Sequence, residues 1–287
     1  MHSGDDPESS GYHRSAMTDQ LSLRLEPALP NPPASLRPML ARSLSEPFDS
    51  PDHLFEPAWG GRRALAFIGP AEALGSGEVT FLGEDGEPLA IVPPELAGLG
   101  VRVAARSAVL DGELVVVDAH GRADDAELER RLAGEAGRPV TFLAFDLLHL
   151  DGRSLLQVPL ERRRDQLRRT LRPGDEVLTV PAIPGEGRAL FDAVAAQGLA
   201  GVLARHRSSP YLPGIRSSLW RFIPVVGEGQ PAGTDETGTA GTEAARGDIV
   251  AGSAPVLALI RRLPLGLEDP ATGGPHEQAA GEPDEPA

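Results

Sequence analysis

The sequence of 287 residues contains no lysine, so all 27 residues counted as lysine plus arginine are arginines. A guanidinium group stays protonated at any working pH, whereas a lysine can lose its proton and attack as an amine. Chemistry that needs a side-chain amine as nucleophile is therefore excluded for this chain. A GC-biased genome also favours arginine over lysine, so the absence alone assigns no function.

Cysteine is absent as well, which excludes disulfides, thiolate metal sites and thiol nucleophiles together. No apolar run approaches the roughly 18 residues of a membrane span. The N-terminus has no apolar stretch typical of a secretory signal. These features predict a soluble, cytoplasmic protein with no membrane contact.

Basic charge is scarce in total, since the formal net charge is −15. Residues 51–226 are close to neutral, with 20 arginines and 24 acidic residues, whereas residues 227–287 hold three arginines and eleven acidic residues. Domains that grip a nucleic-acid duplex usually carry a basic footprint. We therefore expect any contact with nucleic acid to be weak or indirect.

Composition divides the chain into three parts. Residues 1–36 are polar and proline-rich and are predicted to be disordered. Residues 37–226 carry the apolar patterns of a folded domain. Residues 227–287 form an acidic tail of disordered composition, interrupted by a short apolar segment at 255–267. That segment is either a docking peptide or a marginal helix without a role, and we favour the second reading.

Hydrophobic periodicity predicts strands mixed with helices in the central part. The helices are expected at 124–134, 159–171 and 186–198. A hairpin turn at 83–88 should join two strands, at 78–83 and 89–92. Further strands are expected at 64–69, 107–118, 139–150, from Gly201 and around Trp220. Because hairpins outnumber crossovers, the pattern predicts an α+β fold with antiparallel sheets.

Four motifs in this order resemble the adenylation domain of ATP-dependent DNA ligases, especially the bacterial end-joining ligases. They are FEPAWGGRRALAF, VLDGELVVVD, FLAFDLLHLDG and AGVLARHRSSPYLPGIRSSLW, and the resemblance runs from about Pro38 to Ile223. It implies a ligase-type nucleotidyltransferase domain, ATP-grasp-like, with antiparallel sheets flanked by helices. We expect no OB-fold, because no five strands with alternating apolar faces can be drawn after Val226.

In that family a lysine attacks the α-phosphate of ATP, and the resulting lysyl-AMP passes its AMP to the 5′-phosphate of a nick. The family motif Glu-x-Lys-x-Asp-Gly-x-Arg reads EPAWGGRR here, from Glu56 to Arg63. Ala58 stands at the position of the nucleophile and Gly60 at that of the aspartate. The resemblance thus predicts that the chain has no catalytic residue and cannot form lysyl-AMP.

Other positions that bind phosphate or metal in the family have also changed. Glu84 stands where an arginine is expected, and Ala200 replaces the metal-binding glutamate. Phe222 and Pro224 replace the two phosphate-binding lysines of the closing motif. Arg205 and Arg221 are the nearby residues that could still supply positive charge.

The retained positions outline a vestigial nucleotide pocket, formed by Glu56, Arg63, Glu113, Phe145 and Arg205. In the family the Glu113 position serves the ribose and metal, and adenine stacks on the aromatic at the Phe145 position. ATP or AMP should therefore bind weakly if at all, and Mg²⁺ should matter only with residual activity. Alternatively, Glu113 and Phe145 only satisfy turn hydrogen bonds and core packing, which we slightly favour.

An arginine-rich helix and an isolated histidine are not assigned to a catalytic site. Arg162, Arg163 and Arg164, with Arg168 and Arg169, form a basic helix face that could touch nucleic acid. Pairing of that face with local acids in solvent is the favoured alternative. His149 is isolated, and we expect it to play a role in a turn.

Two classes of function remain open from the sequence. The first is a pseudo-ligase, a binding or scaffold protein whose partner is an active ligase or a DNA-repair protein. The second is an enzyme with residual ligase or nucleotidyltransferase activity, for example on pre-adenylated DNA, which bypasses the lysine. We favour the first because the second still needs metal and phosphate contacts.

Overall fold

The computed structural model describes residues 36–71, 74–75 and 77–225. The predictions of disorder at 1–36 and 227–287, and the apolar segment at 255–267, lie almost entirely outside the described residues. Within the described residues, no helix is long and apolar enough to cross a membrane.

The described part of the chain contains eleven strands and three α-helices. The strands are β1 (Leu40–Ser43), β2 (Ser50–Ala58), β3 (Arg62–Ile68), β4 (Val79–Gly83), β5 (Ala108–Val115), β6 (Thr141–Leu150), β7 (Arg153–Ser154), β8 (Val177–Thr179), β9 (Ile183–Gly185), β10 (Gly201–His206) and β11 (Arg216–Pro224). The helices are α1 (Asp125–Leu132), α2 (Leu160–Thr170) and α3 (Gly187–Ala196). Two short 3₁₀ helices, Pro94–Leu96 and Leu99–Arg102, precede β5.

The strands form two sheets. The first sheet has the order β1-β11-β10-β2-β9, and the second has the order β4-β3-β5-β6-β7 with β8 beside β6. Neighbouring strands are antiparallel, except that β1 runs parallel to β11 and β8 runs parallel to β6. The predicted α+β class is confirmed, with these two parallel pairs added to the expected antiparallel sheets.

The predicted helices are present, and α1 begins at a side-chain cap. Asp124 accepts a hydrogen bond from the backbone N–H of Glu127 at 3.0 Å, which satisfies a free donor at the helix start. Acidic residues occupy the first turn of α1, and Arg130 and Arg131 occupy its last turn. Both placements interact favourably with the helix dipole and stabilise α1.

The predicted hairpin turn after β4 is confirmed, but the prediction of a strand at 89–92 is wrong. Gly83 O accepts from Gly86 N at 3.0 Å, and Gly86 has the positive φ of 86° that such a turn requires. Beyond the turn, pairing stops after a bridge between Leu82 and Pro88 and one bond from Leu89 N to Phe81 O. Pro93 and Pro94 follow and fix an extended entry into the first 3₁₀ helix, so the ladder cannot continue.

The second sheet is buried on both faces, and its two faces belong to different apolar clusters. One face packs against α1, α2 and the 3₁₀ helices, with Leu110, Phe142, Leu167 and Leu96 among its members. The other face packs against the first sheet and α3, through Leu143, Phe145, Val202, Phe55 and Leu190. The junction of the two sheets therefore places the end of β2 beside β3, β5 and β6.

The arginine-rich helix α2 does not present a fully solvated face. Arg163 and Arg164 are buried, whereas Arg168 is exposed and pairs with Asp165. Arg163 donates from Nε and Nη2 to the two oxygens of Asp146, each at 2.8 Å, and both side chains are fully buried. The interpretation of these arginines as a solvated face paired with local acids is therefore wrong for Arg163 and Arg164, which connect α2 to the interior of the domain.

His149 also differs from its predicted role in a turn. It lies within β6, opposite Ser154 of β7, and is 6% exposed. Burial lowers the pKa of its imidazole below the ordinary value, with Asp151 opposing the shift. The turn follows at Asp151 and Gly152, so His149 is a buried residue of the sheet.

The Arg163 ion pair provides a test of how α2 is attached. Arg163→Met should lower the free energy of unfolding by about 3–5 kcal/mol, because it leaves Asp146 buried without its partner. Arg168→Met on the same helix removes an exposed pair and should cost less than about 1 kcal/mol. Urea unfolding monitored by circular dichroism measures both, and equal losses would contradict the buried pairing.

Candidate functional site

Ala58 is the last residue of β2 and lies at the junction of the two sheets. It faces Gly201 of β10 in register, and its carbonyl oxygen accepts from Ala200 N at 3.1 Å. The residue is 6% exposed. A methyl group therefore occupies the position that the sequence comparison assigned to a nucleophile.

The loop after β2 approaches β10 so closely that it requires glycine. Gly60 has φ +88°, and a Cβ added to it would lie 2.9 Å from the Cβ of Ala200. L-residues rarely adopt this φ, and real Cβ contacts are essentially never this short. The backbone here has a conformation in which an acidic side chain at position 60 is not accommodated.

The carboxylate of Glu113 lies beside the same loop. Burial raises the pKa of Glu113 above its ordinary value, while hydrogen bonds from the backbone N–H of Gly61 and Gly60, and the charge of Arg63, oppose the rise. Glu113 is also the register partner of Arg63 across β5 and β3. The position of Glu113 fits the structural alternative, in which it holds the turn.

Arg63 is held by a carboxylate on the neighbouring strand. It donates from Nε and Nη2 to the two oxygens of Asp111, each at 2.7 Å. The hydroxyl of Tyr211 donates to Asp111 Oδ2 at 2.7 Å and accepts from Met39 N at 2.9 Å. Burial raises the pKa of Tyr211 well above its ordinary value, and Asp111 adds to the rise. Arg63 is thus fixed by a bidentate pair rather than free to follow a ligand.

Glu56, in β2, is flanked by two arginines. Arg164 donates from Nη1 to Glu56 Oε1, to the carbonyl of Phe145 at 2.8 Å, and from Nη2 to the carbonyl of Val180 at 2.6 Å. Arg205 Nη2 lies 3.2 Å from Glu56 Oε2, although this contact lacks hydrogen-bond geometry. Glu56, Arg164 and Arg205 are each at most 2% exposed.

The guanidinium of Arg205 lies between two aromatic side chains. Its Cζ is 3.9 Å from the ring centroid of Phe145 and 4.5 Å from that of Trp220. Arg63 approaches the same Phe145 ring at 4.6 Å. Burial lowers the pKa of Arg205, Glu56 opposes the shift, and Arg63 and Arg164 add to it. The group remains a cation at neutral pH because an arginine loses its proton only at extreme pH.

The structure brings together Glu56, Arg63, Phe145 and Arg205, four of the five residues of the predicted pocket, and places Glu113 beside the loop. Their role in binding a nucleotide stays a prediction. Arg164 was missed because a run of arginines was interpreted as a surface feature. The helical spacing would have indicated its burial, because Arg164 lies between Leu160 and Leu167 on the apolar side of α2.

Arg221 and Glu84 lie away from this cluster. Arg221 pairs with Ala204 across β11 and β10, and therefore points to the opposite face of the sheet from Arg205. There it lines an apolar recess with His53, whose pKa is lowered by burial and, less strongly, by His206. Glu84 lies in an acidic recess of about 560 Å³ between the β4 hairpin and α1.

Among the described residues, no group of three or more histidines, cysteines or carboxylates is arranged to hold a metal ion. Of the carboxylates near the loop, Asp111 is paired with Arg63 and Glu56 with Arg164, while Glu113 accepts hydrogen bonds from the backbone N–H groups of Gly60 and Gly61.

The sequence of this chain is similar to those of known DNA ligase domains. A family model described as the ATP dependent DNA ligase domain matches residues 38–221. The multifunctional non-homologous end joining protein LigD of Mycobacterium bovis is 36% identical over 166 residues, which is 58% of this chain and 21% of LigD. The SPbeta prophage-derived DNA ligase-like protein LigB of Bacillus subtilis is 26% identical over 184 residues, covering 64% of this chain and 65% of LigB.

Solved structures give the same result. A structure described as mycobacterial DNA ligase D complexed with ATP and MES has a TM-score of 0.56 and 31% identity, covering 66% of this chain and 60% of that one. The ligase domain of LigD from Mycobacterium tuberculosis gives a TM-score of 0.55 at 31% identity, covering 66% and 59%. The chain spans about a fifth of the length of LigD, the curated relative it matches first.

The two sheets, their helices and the glycine loop after β2 define a nucleotidyltransferase domain of the ligase type. More than half of the chain matches the family model, and the chain belongs to the family of ATP-dependent DNA ligase domains.

The glycine loop provides a second test. Gly60→Ala should lower the free energy of unfolding by about 1–3 kcal/mol, because alanine is strained at positive φ and its Cβ meets Ala200. Gly98→Ala is the matched control, since Gly98 has φ −86° and open space around it, and should change stability by less than about 1 kcal/mol. Urea unfolding compares the two, and a neutral Gly60→Ala would show that the loop is not confined as described.

Proposed function

We propose that this chain is a pseudo-ligase, a ligase-family protein that cannot form lysyl-AMP and acts as a binding or scaffold protein. The observation that carries the proposal is the methyl group of Ala58 at the end of β2, in a chain with no lysine to replace it. A phosphoramidate needs an amine nitrogen, and arginine does not supply one at working pH.

The residues around Ala58 also do not fit ATP and Mg²⁺ in a nucleotidyl transfer. Such a transfer needs carboxylates for the metal and fixed cations for the phosphates. Ala200, Phe222 and Pro224 supply neither. Of the two arginines that could supply positive charge, Arg205 is buried against Phe145 and Glu56, and Arg221 lies on the opposite face of the sheet.

The proposed role is to bind another macromolecule, with an active ligase or a DNA-repair protein as the partner. The similarity to LigD, named for end joining, supports this partner class. The near-neutral charge of the domain supports a protein partner over direct contact with DNA. We place the protein in the cytoplasm, together with such partners.

Residual sealing of pre-adenylated DNA is the alternative from the sequence. It would bypass the missing amine but would still require phosphate contacts. The acidic recess at Glu84 argues against such contacts, because carboxylates repel a phosphate backbone. A pre-adenylated nick incubated with the chain and Mg²⁺ tests this alternative directly, and we expect no sealed product.

Absence of the covalent intermediate is the main test. After incubation with labelled ATP and Mg²⁺ or Mn²⁺ at pH 6 to 9, a denaturing gel should show no labelled chain. The LigD ligase domain serves as positive control under the same conditions. A labelled band that survives denaturation and maps to this chain would overturn the proposal.

Restoring the nucleophile should not restore activity. Ala58→Lys/Gly60→Asp returns the amine and its acidic neighbour, but leaves Ala200, Phe222 and Pro224 unchanged. Each lost charge contact in such a site costs about 2.7–4 kcal/mol, so even two of them at the low end of this range slow adenylation by about four orders of magnitude. The labelled-ATP gel and a nick-sealing assay measure both steps, with Ala58→Lys alone as the comparison. Sealing by the double variant would show that the phosphate contacts persist.

A further inference from the structure

We propose that Arg205 is a built-in occupant of an aromatic slot, defined by Phe145, Trp220 and the carboxylate of Glu56, and keeps flat nitrogen-containing ligands out of it. The inference rests on the proposed pseudo-ligase role in one respect, because it explains how the domain excludes free nucleotides. It concerns non-covalent binding only.

The planar guanidinium of Arg205 fills the slot, and its shape resembles that of the flat ligands it would exclude. A guanidinium is planar and stacks on aromatic faces as a heteroaromatic ring does. Arg205 Cζ lies 3.9 Å from the Phe145 centroid and 4.5 Å from the Trp220 centroid, and the side chain is 0% exposed. A flat ligand cannot lie over the part of the Phe145 ring that Arg205 covers, and the guanidinium of Arg63 approaches the same ring at 4.6 Å.

The hydrogen bonds of Arg205 show that the slot is not built around it. Among the described residues, Nε, Nη1 and Nη2 of Arg205 find no hydrogen-bond acceptor, although all three are buried. Glu56 Oε2 also lacks a donor and lies 3.2 Å from Nη2 without suitable geometry. A buried donor without an acceptor is costly, so stacking and the charge of Glu56 hold Arg205 in place.

Those same groups define what the emptied slot would bind. Two aromatic faces select a flat ring, and the free oxygen of Glu56 selects a ring that carries an N–H donor at its edge. An aminopurine such as adenine fits this description, whereas a ring without an N–H donor leaves Glu56 Oε2 unsatisfied. The ligand class is therefore a planar aromatic amine.

Truncating Arg205 should leave the walls of the slot in position. Arg164 still bonds Glu56 Oε1 and the carbonyl of Phe145, which fixes the carboxylate and the strand that carries the ring. The opposite wall is fixed because Trp220 Nε1 donates to Ser209 Oγ at 3.2 Å. Neither set of contacts uses Arg205.

The experiment compares adenosine binding by three variants and the parent chain, using calorimetry. Arg205→Ala empties the slot, Arg205→Met keeps it filled without charge, and Arg207→Ala removes an exposed arginine two residues along that pairs with Glu161. We expect Arg205→Ala to bind adenosine at least tenfold more tightly than the other three proteins. Equal binding by the parent, or no gain in a folded Arg205→Ala, would overturn the proposal.

A measurement on the parent chain keeps the proposal testable if Arg205→Ala does not fold. In NMR spectra, the Arg205 Nε–H signal, assigned by its disappearance in Arg205→Met, should be shifted by the ring currents of Phe145 and Trp220 and should stay unchanged with adenosine. An unshifted signal, or one displaced by adenosine, contradicts the proposal. Failure here leaves the pseudo-ligase proposal intact, because that proposal depends on the covalent adenylate gel.

Discussion

The guanidinium of Arg164 is the contact on which the arrangement of the domain depends. It extends from α2 to Glu56 in the first sheet, to the carbonyl of Phe145 in the second sheet, and to the carbonyl of Val180 beyond β8. Each bond replaces water that the buried group has lost, so none can be removed cheaply. A single side chain thus connects a helix with both sheets, in addition to the apolar packing between them.

The charge around this contact is balanced internally rather than offered to a ligand. Arg63 is matched by Asp111, Arg163 by Asp146, and Arg164 by Glu56. A nucleotidyltransferase needs cations that are fixed in place but still available to phosphate oxygens. Here the fixed cations are paired with protein carboxylates, while Glu84 adds negative charge to the recess between the β4 hairpin and α1. The domain thus keeps the family fold, but its buried charges pair with one another rather than face a ligand.

The sequence predicted much of the fold because its signals were local. Alternation identified the strands around Phe145 and Val202, and Asp124 marked the start of α1. The strand expected after Pro88 failed because the prolines beyond it stop the ladder, an effect that alternation does not register. The loss at Ala58 was readable from the motif. The burial of Arg163, Arg164 and Arg205 was not, because a charge is assigned to the surface unless its partner, distant in sequence, is known.

The close approach of Gly60 to Ala200 has a consequence for any attempt to rebuild the family motif. The resemblance places acidic residues at both positions, whereas a Cβ added at position 60 would lie only 2.9 Å from the Cβ of Ala200. An aspartate at position 60 therefore requires the loop to move away from β10, and it is strained at the present φ of +88°. Rebuilding the motif is thus a problem of backbone geometry as well as of side-chain identity.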